Sequence, residues 1–319
     1  MLEPNTIGNA KLNCMRKHNV KVYKSSEIEQ LIKNVDFYKQ YEIKNLIKWD
    51  SQKELFENIY KTQITFDYPI YSKDELLRDW NCLKMSSKGI SQSGKKLCRY
   101  FHKSFFECSK KGFDSPLERW SDEKIRKRNL EKTLLEHPEK TETDLKKLFN
   151  QVCKNPKVNS FQPGFARYLI QKYLKDFETI FDPFSSFSGR LLAAVSLGKK
   201  YTGSDASEKR IQESKNLVNF LNLENVNLIS RKLDDYEDGQ KYECLFTCIP
   251  DTTENYEGCD ENNKDSDNWI DLILEKFDCK KYVIVVDNTI KYKDKIVLET
   301  NNTSHYGKGF EKVLIFEKN

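Results

Sequence analysis

From Val158 onward, short apolar runs alternate with amphipathic stretches. The segments TIFDPF (179–184), KYTGSD (200–205), NLISR (227–231), CLFTCIP (244–250) and KYVIVVD (281–287) have strand length and strand composition. Helices are predicted between them, beginning near Gly189, Ser207 and Asp267. A further amphipathic helix is predicted in NSFQPGFARYLIQKYL, with Pro163 near its first turn. This alternation implies a mainly parallel sheet covered by helices on both faces. The end of the chain reads differently. KIVLETN and EKVLIFEK, separated by a turn with Gly307 and Gly309, predict a hairpin that adds an antiparallel strand at the sheet edge.

Before Val158 the periodicity is helical, as in SSEIEQLIKNVDFYKQYEIKNLIKW, and residues 1–80 show no catalytic motif. SDEKIRKRNLEKTLLEH is predicted to be a helix capped by Ser121 and stopped before Pro138. TETDLKKLFNQVCKN predicts another, with Thr141 and Asp144 at capping-box spacing and Pro156 just beyond. The expected architecture is thus α/β: a mainly helical, basic region over 1–157, then a sheet-bearing domain over 158–319. A chain of 319 residues is long enough for both.

Charge changes this picture in one place. The net charge of +5 is modest, yet residues 84–111 hold eight Lys or Arg against one acid, Glu107, with Tyr100, Phe101, Phe105 and Phe106 interleaved. Basic groups neutralise phosphates and aromatic faces stack on unpaired bases, so the segment suits nucleic acid; a solvated basic face over an aromatic core has the same composition. Lys95, Lys96 and Arg99 are the candidate contacts, joined by Arg126, Lys127 and Arg128 on the following helix. Nine cysteines without a CxxC pair read as reduced thiols, and Cys98, His102 and Cys108 fit no common zinc spacing, so no metal is expected. No apolar run approaches a membrane span, and the opening MLEPNTIGNAKLNC lacks a basic-then-apolar leader, so a soluble, intracellular protein is expected, with no membrane partner.

Ligands of open α/β sheets bind beyond the carboxyl ends of the strands, near the switch in strand order. Three predicted strand ends carry candidate chemistry: Asp182-Pro183-Phe184 with the turn to Gly189, then Asp205, then Thr247 to Asp251 in TCIPD. A carboxylate placed like Asp205 can accept bonds from ribose hydroxyls.

The ordered set DPFSSFSGRL, YTGSD and TCIPD resembles the amino-group DNA methyltransferases, particularly their phage and giant-virus members, whose motifs read DPFxGxGGRL, YxGxD and TSPPY or TCPPY. The likeness extends upstream through SPLERW and NSFQP, and downstream through VVDNTIKYKDKIV and SHYGKGFEKVLIF, covering roughly residues 85–319. It implies a Rossmann-like sheet with a terminal antiparallel hairpin, S-adenosylmethionine as cofactor, DNA as partner, and a bacterial, phage or viral setting. It also implies roles for individual residues. The turn from Asp182 through Pro183 and Phe184 to Gly189 would face the methionine part, Asp205 would hold the ribose, and Phe161 and Pro163 would close the site. Cys248, Pro250 and Asp251 would form the catalytic segment receiving a flipped base.

Where the chain departs from those motifs, the chemistry suffers. An exocyclic amine is a poor nucleophile, and the family polarises it with side-chain and main-chain acceptors fixed by a Pro-Pro pair, while an aromatic stacks on the base. Here Cys248 is a weak acceptor, Ile249 replaces the first proline and Asp251 the aromatic. Ser185, Ser186 and Ser188 occupy much of a turn that is usually glycine-rich. Arg231 and Lys232 stand where an acid often meets adenine, unless Asp234 serves, and the loop after Asp251 is rich in acids. The leading expectation is a DNA-methyltransferase homologue with reduced or lost transfer and a DNA-binding or scaffolding role, beside an active methyltransferase or restriction partner. An active enzyme acting on an adenine or cytosine amino group, and an RNA-binding or RNA-methylating protein, are the alternatives.

Overall fold

The computed structural model describes residues 66, 68–86, 91–136, 158, 160–250, 254–255, 266–287, 296–300 and 311–317. The chain divides into two compact units, one of Met1–Thr62 with Leu130–Leu145 and the other of Gln63–Asn129 with Lys146–Asn319. The change of patterning at Val158 therefore marks the start of the sheet-bearing stretch inside the second unit. The helices predicted near residues 26–49 and 141–155 lie outside the described residues.

Seven strands form one sheet: β1 (Thr179–Asp182), β2 (Lys200–Asp205), β3 (Val226–Ser230), β4 (Gln240–Cys248), β5 (Phe277–Asp287), β6 (Ile296–Thr300) and β7 (Glu311–Glu317). Their spatial order is β3-β2-β1-β4-β5-β7-β6. The first five are mutually parallel, whereas β7 runs antiparallel to both β5 and β6. This is the Rossmann-like methyltransferase sheet with its C-terminal antiparallel pair. The final strand inserts between β5 and β6, so the outermost member of the hairpin is β6. Strand order reverses between β1 and β4, which makes their carboxyl ends the natural ligand crevice.

Both faces of the sheet are covered, and alternate residues serve the two cores. Ile180, Cys244, Phe246, Cys248, Val283 and Val285 join one cluster with α5 (Pro163–Tyr173) and α6 (Gly189–Ser196). Phe181, Leu245, Ile249, Tyr282, Ile284 and Val286 join the other, with Ile270 and Ile273 of α8 (Ser266–Lys276). Each large side chain fully buried this way contributes about 1.5–3 kcal/mol, so a one-residue slip of register would be prohibitive.

Helices α1 (Lys73–Met85), α2 (Lys95–Phe101), α3 (Pro116–Ser121) and α4 (Glu123–Glu136) precede the sheet, and α7 (Glu208–Leu221) follows β2. Capping boxes open α1 at Ser72 and α3 at Ser115. The cap of α4 is Asp122, not Ser121: Asp122 Oδ1 accepts from the Lys124 and Ile125 amides, while Ser121 Oγ donates to Leu117 O. A carboxylate beside an N-terminus also meets the helix dipole favourably, which a hydroxyl does not. Arg167 of α5 donates to Leu83 O and Lys84 O and so closes the last turn of α1. Gly94, at φ +86°, precedes α2 where a Cβ would stand 2.7 Å from Pro163 Cβ. Among the described residues no helix is long and apolar enough to cross a membrane.

Candidate functional site

At the end of β1, Asp182 is fully buried and its carboxylate is a hub. Oδ2 accepts from Arg190 Nε at 2.7 Å and from Tyr201 Oη at 2.7 Å. Oδ1 accepts from Thr247 Oγ1 at 2.7 Å, the Phe184 amide at 3.2 Å and Arg190 Nη2 at 3.3 Å. Arg190 also donates to Phe184 O and lies 5.0 Å from the centre of the Phe161 ring. Burial alone would lower the Arg190 pKa, but the charge and hydrogen bond of Asp182, together with Cys248 and Tyr201, more than offset it and raise the guanidinium above its ordinary value. Burial, reinforced by Asp182, raises the Tyr201 phenol well above its ordinary value, so it remains a donor. The hub ties β1, β2, β4 and α6 together at one point.

Gly203 makes that hub feasible. Tyr201 and Gly203 share a face of β2, and a Cβ at 203 would come within 2.6 Å of the Tyr201 ring and 2.9 Å of Ser185 Cβ. Without a side chain at 203, the ring folds along the strand to reach Asp182.

The acid at the end of β2 is held differently. Asp205 Oδ1 accepts from Arg210 Nε at 2.9 Å and the Ser207 amide at 2.9 Å, and stands 2.8 Å from Arg210 Nη2. Its Oδ2 takes one bond, from the Ser186 amide at 3.0 Å, and the residue keeps 6% of its surface exposed. A carboxylate offers about four lone-pair positions. Oδ1 is saturated, and Oδ2 retains one acceptor position.

Between these acids runs the turn 183–188. Its two non-glycine residues with left-handed backbone are Ser186 (φ 50°) and Ser188 (φ 62°), the positions that the resemblance gives to glycine. The path of a glycine turn is thus kept with serines in it. Ser188 Oγ lies 2.8 Å from both His102 Nε2 and Ser214 Oγ, and His102 Nδ1 lies 3.2 Å from Glu213 Oε2. Ser185 Oγ is buried without a hydrogen-bond partner among the described residues. Gly189 sits where a Cβ would fall 2.0 Å from Phe161 O, so this close approach admits only glycine.

The predicted cofactor residues Phe161, Asp182, Pro183, Gly189 and Asp205 therefore gather around one turn. Phe184 turns away, with its ring against Trp269 at 5.3 Å. In the catalytic segment, Cys248 is buried in the core on the α5/α6 face, with Sγ 3.6 Å from Ile249 O. The Ile249 amide extends the strand ladder to Val285 O at 3.0 Å, and Pro250 is half-buried. Asp251 lies outside the described residues. Arg231 is exposed beyond β3, its guanidinium 4.9 Å from the Tyr236 ring.

The basic candidates separate into two kinds. Arg99, Lys127 and Arg128 are exposed, as is Lys96, which stands 3.6 Å from Glu75 and 5.4 Å from the centre of the Tyr71 ring. Lys95 is half-buried and bonded to Gln92, and Arg126 is half-buried with Nη1 donating to Trp120 O at 2.9 Å, so these two are turned toward their own chain. Burial pushes the Cys98 thiol up to about 12, and both His102 nitrogens are engaged, which suits the reading of Cys98 and His102 as packed groups.

Sequence reasoning missed Arg190, Tyr201 and Arg210 as partners of the two acids, placed Thr247 only in the catalytic segment, weighed His102 only as a metal ligand, and passed over Glu213. Arg190 and Tyr201 do lie inside the quoted motifs, and Arg210 follows Asp205 by little more than one helical turn. His102 and Glu213 lie 111 positions apart and give no local signal.

No family model matches the chain, and no curated protein is significantly similar to it. Among solved structures it is similar to a SAM-dependent methyltransferase from Aquifex aeolicus (12% identity, 49% of this chain and 99% of that one, TM-score 0.32). It is likewise similar to a ribosomal-protein methylase from Lactobacillus delbrueckii subsp. bulgaricus (15%, 51% and 83%, 0.37) and to the human methyltransferase 10 domain containing protein (12%, 50% and 84%, 0.37). Strand order and register define the fold.

Proposed function

We propose that the protein is a homologue of the amino-group DNA methyltransferases whose methyl transfer is reduced or lost and whose remaining role is to bind DNA or scaffold a partner. One observation carries this reading: both strand-end acids already hold arginines of the same chain, Asp182 with Arg190 and Asp205 with Arg210. The catalytic segment agrees with it, since Cys248 Sγ is buried in the core and is a weak acceptor for an amine.

S-adenosylmethionine fits the cradle in outline. Asp205 Oδ2 would accept from one ribose hydroxyl, Asp205 Oδ1 being saturated, and the turn from Ser185 to Gly189 would face the methionine part, with Ser185 Oγ as a buried group still to be satisfied. Bound there, the cofactor would supply an electrophilic methyl group. The chain's own contribution would be a weak hold on the ribose and no strong side-chain acceptor at position 248. Exposed Arg99, Lys96, Lys127 and Arg128 would contribute phosphate contacts, which position a nucleic acid without reading its sequence.

Calorimetry with S-adenosylhomocysteine, paired with transfer of a labelled methyl group to unmodified duplex DNA, tests the proposal. The expected outcome is weak binding, with Kd above about 10 μM, and no label in DNA. Label incorporation at saturating cofactor would overturn it. The alternative of a working enzyme draws on the turn, whose glycine-like path is preserved at Ser186 and Ser188. That version requires transfer to be abolished by changing Asp182 or Pro250. Competition between duplex DNA and RNA separates both from an RNA-directed protein.

A further inference from the structure

Residues 102–110 form a strap across the carboxyl ends of the sheet. On one side of β1, His102 bonds Ser188, the Ser104 amide and hydroxyl donate to Glu213 of α7, and Lys209 at the start of α7 pairs with Glu107. On the other side, Ser109 and Lys110 pair antiparallel with Asn255 and Glu254, just beyond the catalytic segment. Between the anchorages, Phe105 and Phe106 pack with Phe187 of the turn, whose ring lies 5.2 Å from Phe105 and 5.8 Å from His102.

We propose that His102 is a positioning residue: held by Glu213, it keeps the cofactor turn in its glycine-like path by gripping Ser188, doing by hydrogen bonding what glycine does by lacking a side chain. The left-handed backbone of Ser188 disfavours any non-glycine residue unless its surroundings enforce it. Ser188 has that enforcement. Glu213, an acceptor, faces His102 Nδ1 and fixes the ring, so that Nε2 meets Ser188 Oγ, which also bonds Ser214 Oγ. His102, Ser188 and Ser214 are each at most 1% exposed, so water does not compete for these bonds. The chain thus couples the accessory segment to the turn, and the turn to whatever ligand it receives. This inference deepens the cofactor reading above and rests on it for the ligand only.

The test is a rescue. In full-length protein without ligand, His102→Ala should speed amide hydrogen exchange across residues 184–190 by about tenfold, the factor that a left-handed non-glycine residue costs. Adding Ser188→Gly should return exchange to near the wild-type rate, because glycine needs no brace. Unchanged exchange in His102→Ala, or failure of Ser188→Gly to restore it, would overturn the proposal. If His102→Ala does not fold, Ser214→Ala applies the same test, because it takes from Ser188 the bond that completes the grip. S-adenosylhomocysteine affinity should follow the same order, falling in His102→Ala and recovering in the double variant. Absence of binding in every variant, with the exchange pattern intact, would sink the cofactor reading while supporting the brace.

Discussion

The ends of β1 and β2 carry the same residue type and do different things. Asp182 is sealed, with every lone pair committed to groups that join four elements; Asp205 is clamped on one oxygen and takes a single bond on the other. The difference lies in their neighbours. A tyrosine, a threonine and an arginine converge on Asp182 from three elements, whereas Asp205 is served mainly by its own helix start. A buried carboxylate with five donors is a fold keystone, and one with a spare acceptor position can still meet a ligand.

The sharpest way to break that comparison is to neutralise each acid in turn. Asp182→Ala leaves the Arg190 charge buried without its counter-ion and should destabilise by about 3–5 kcal/mol, read as a fall in the urea midpoint, whereas Asp205→Ala should cost about 1–3 kcal/mol. Equal losses would show that the two sites are not different in kind. Next in size is Gly203→Ala, which displaces Tyr201 or Ser185 and should cost about 1–3 kcal/mol by overpacking. If the melt is unchanged, the hub does not depend on Tyr201.

A smaller effect sharpens the contrast. Arg210→Gln releases Asp205 Oδ1 and should raise affinity for S-adenosylhomocysteine about threefold to tenfold, roughly the value of one charge-assisted bond. A drop in affinity would mean that Arg210 itself contacts the ligand. Smallest is the acid limb. Burial would raise the Glu213 pKa, but bonds from His102 and Ser104 lower it below its ordinary value. A carboxylate with a depressed folded pKa contributes stability that is full above the unfolded value of about 4.3 and is lost as pH falls through the folded one. Wild-type protein should therefore lose stability below about pH 4.3 more steeply than Glu213→Gln, and parallel pH profiles would remove Glu213 from that role.

The sheet was legible because its signals are local. Strands ending at Asp182 and Asp205, helices starting at Gly189 and Ser207, and the closing hairpin all follow from apolar period and cap residues within a few positions. The cap of α4 was misplaced by one residue, from Ser121 to Asp122, because both can accept from the first turn and only the chain's exit from α3 decides between them. Phe184 read as part of the cofactor turn, but it packs on Trp269, a choice made by the facing helix.

By itself, then, the sequence determined the order of strands and helices, the position of the two acids and the serine-bearing turn, since each depends on neighbours along the chain. Only the tertiary structure decided what those acids are bonded to, that the turn keeps its left-handed path, and that His102 reaches Ser188 from 86 residues away. The physical reason is range. Backbone preference acts over a few residues, whereas the partner of a buried polar group is chosen by whichever side chain the fold brings within about 3 Å.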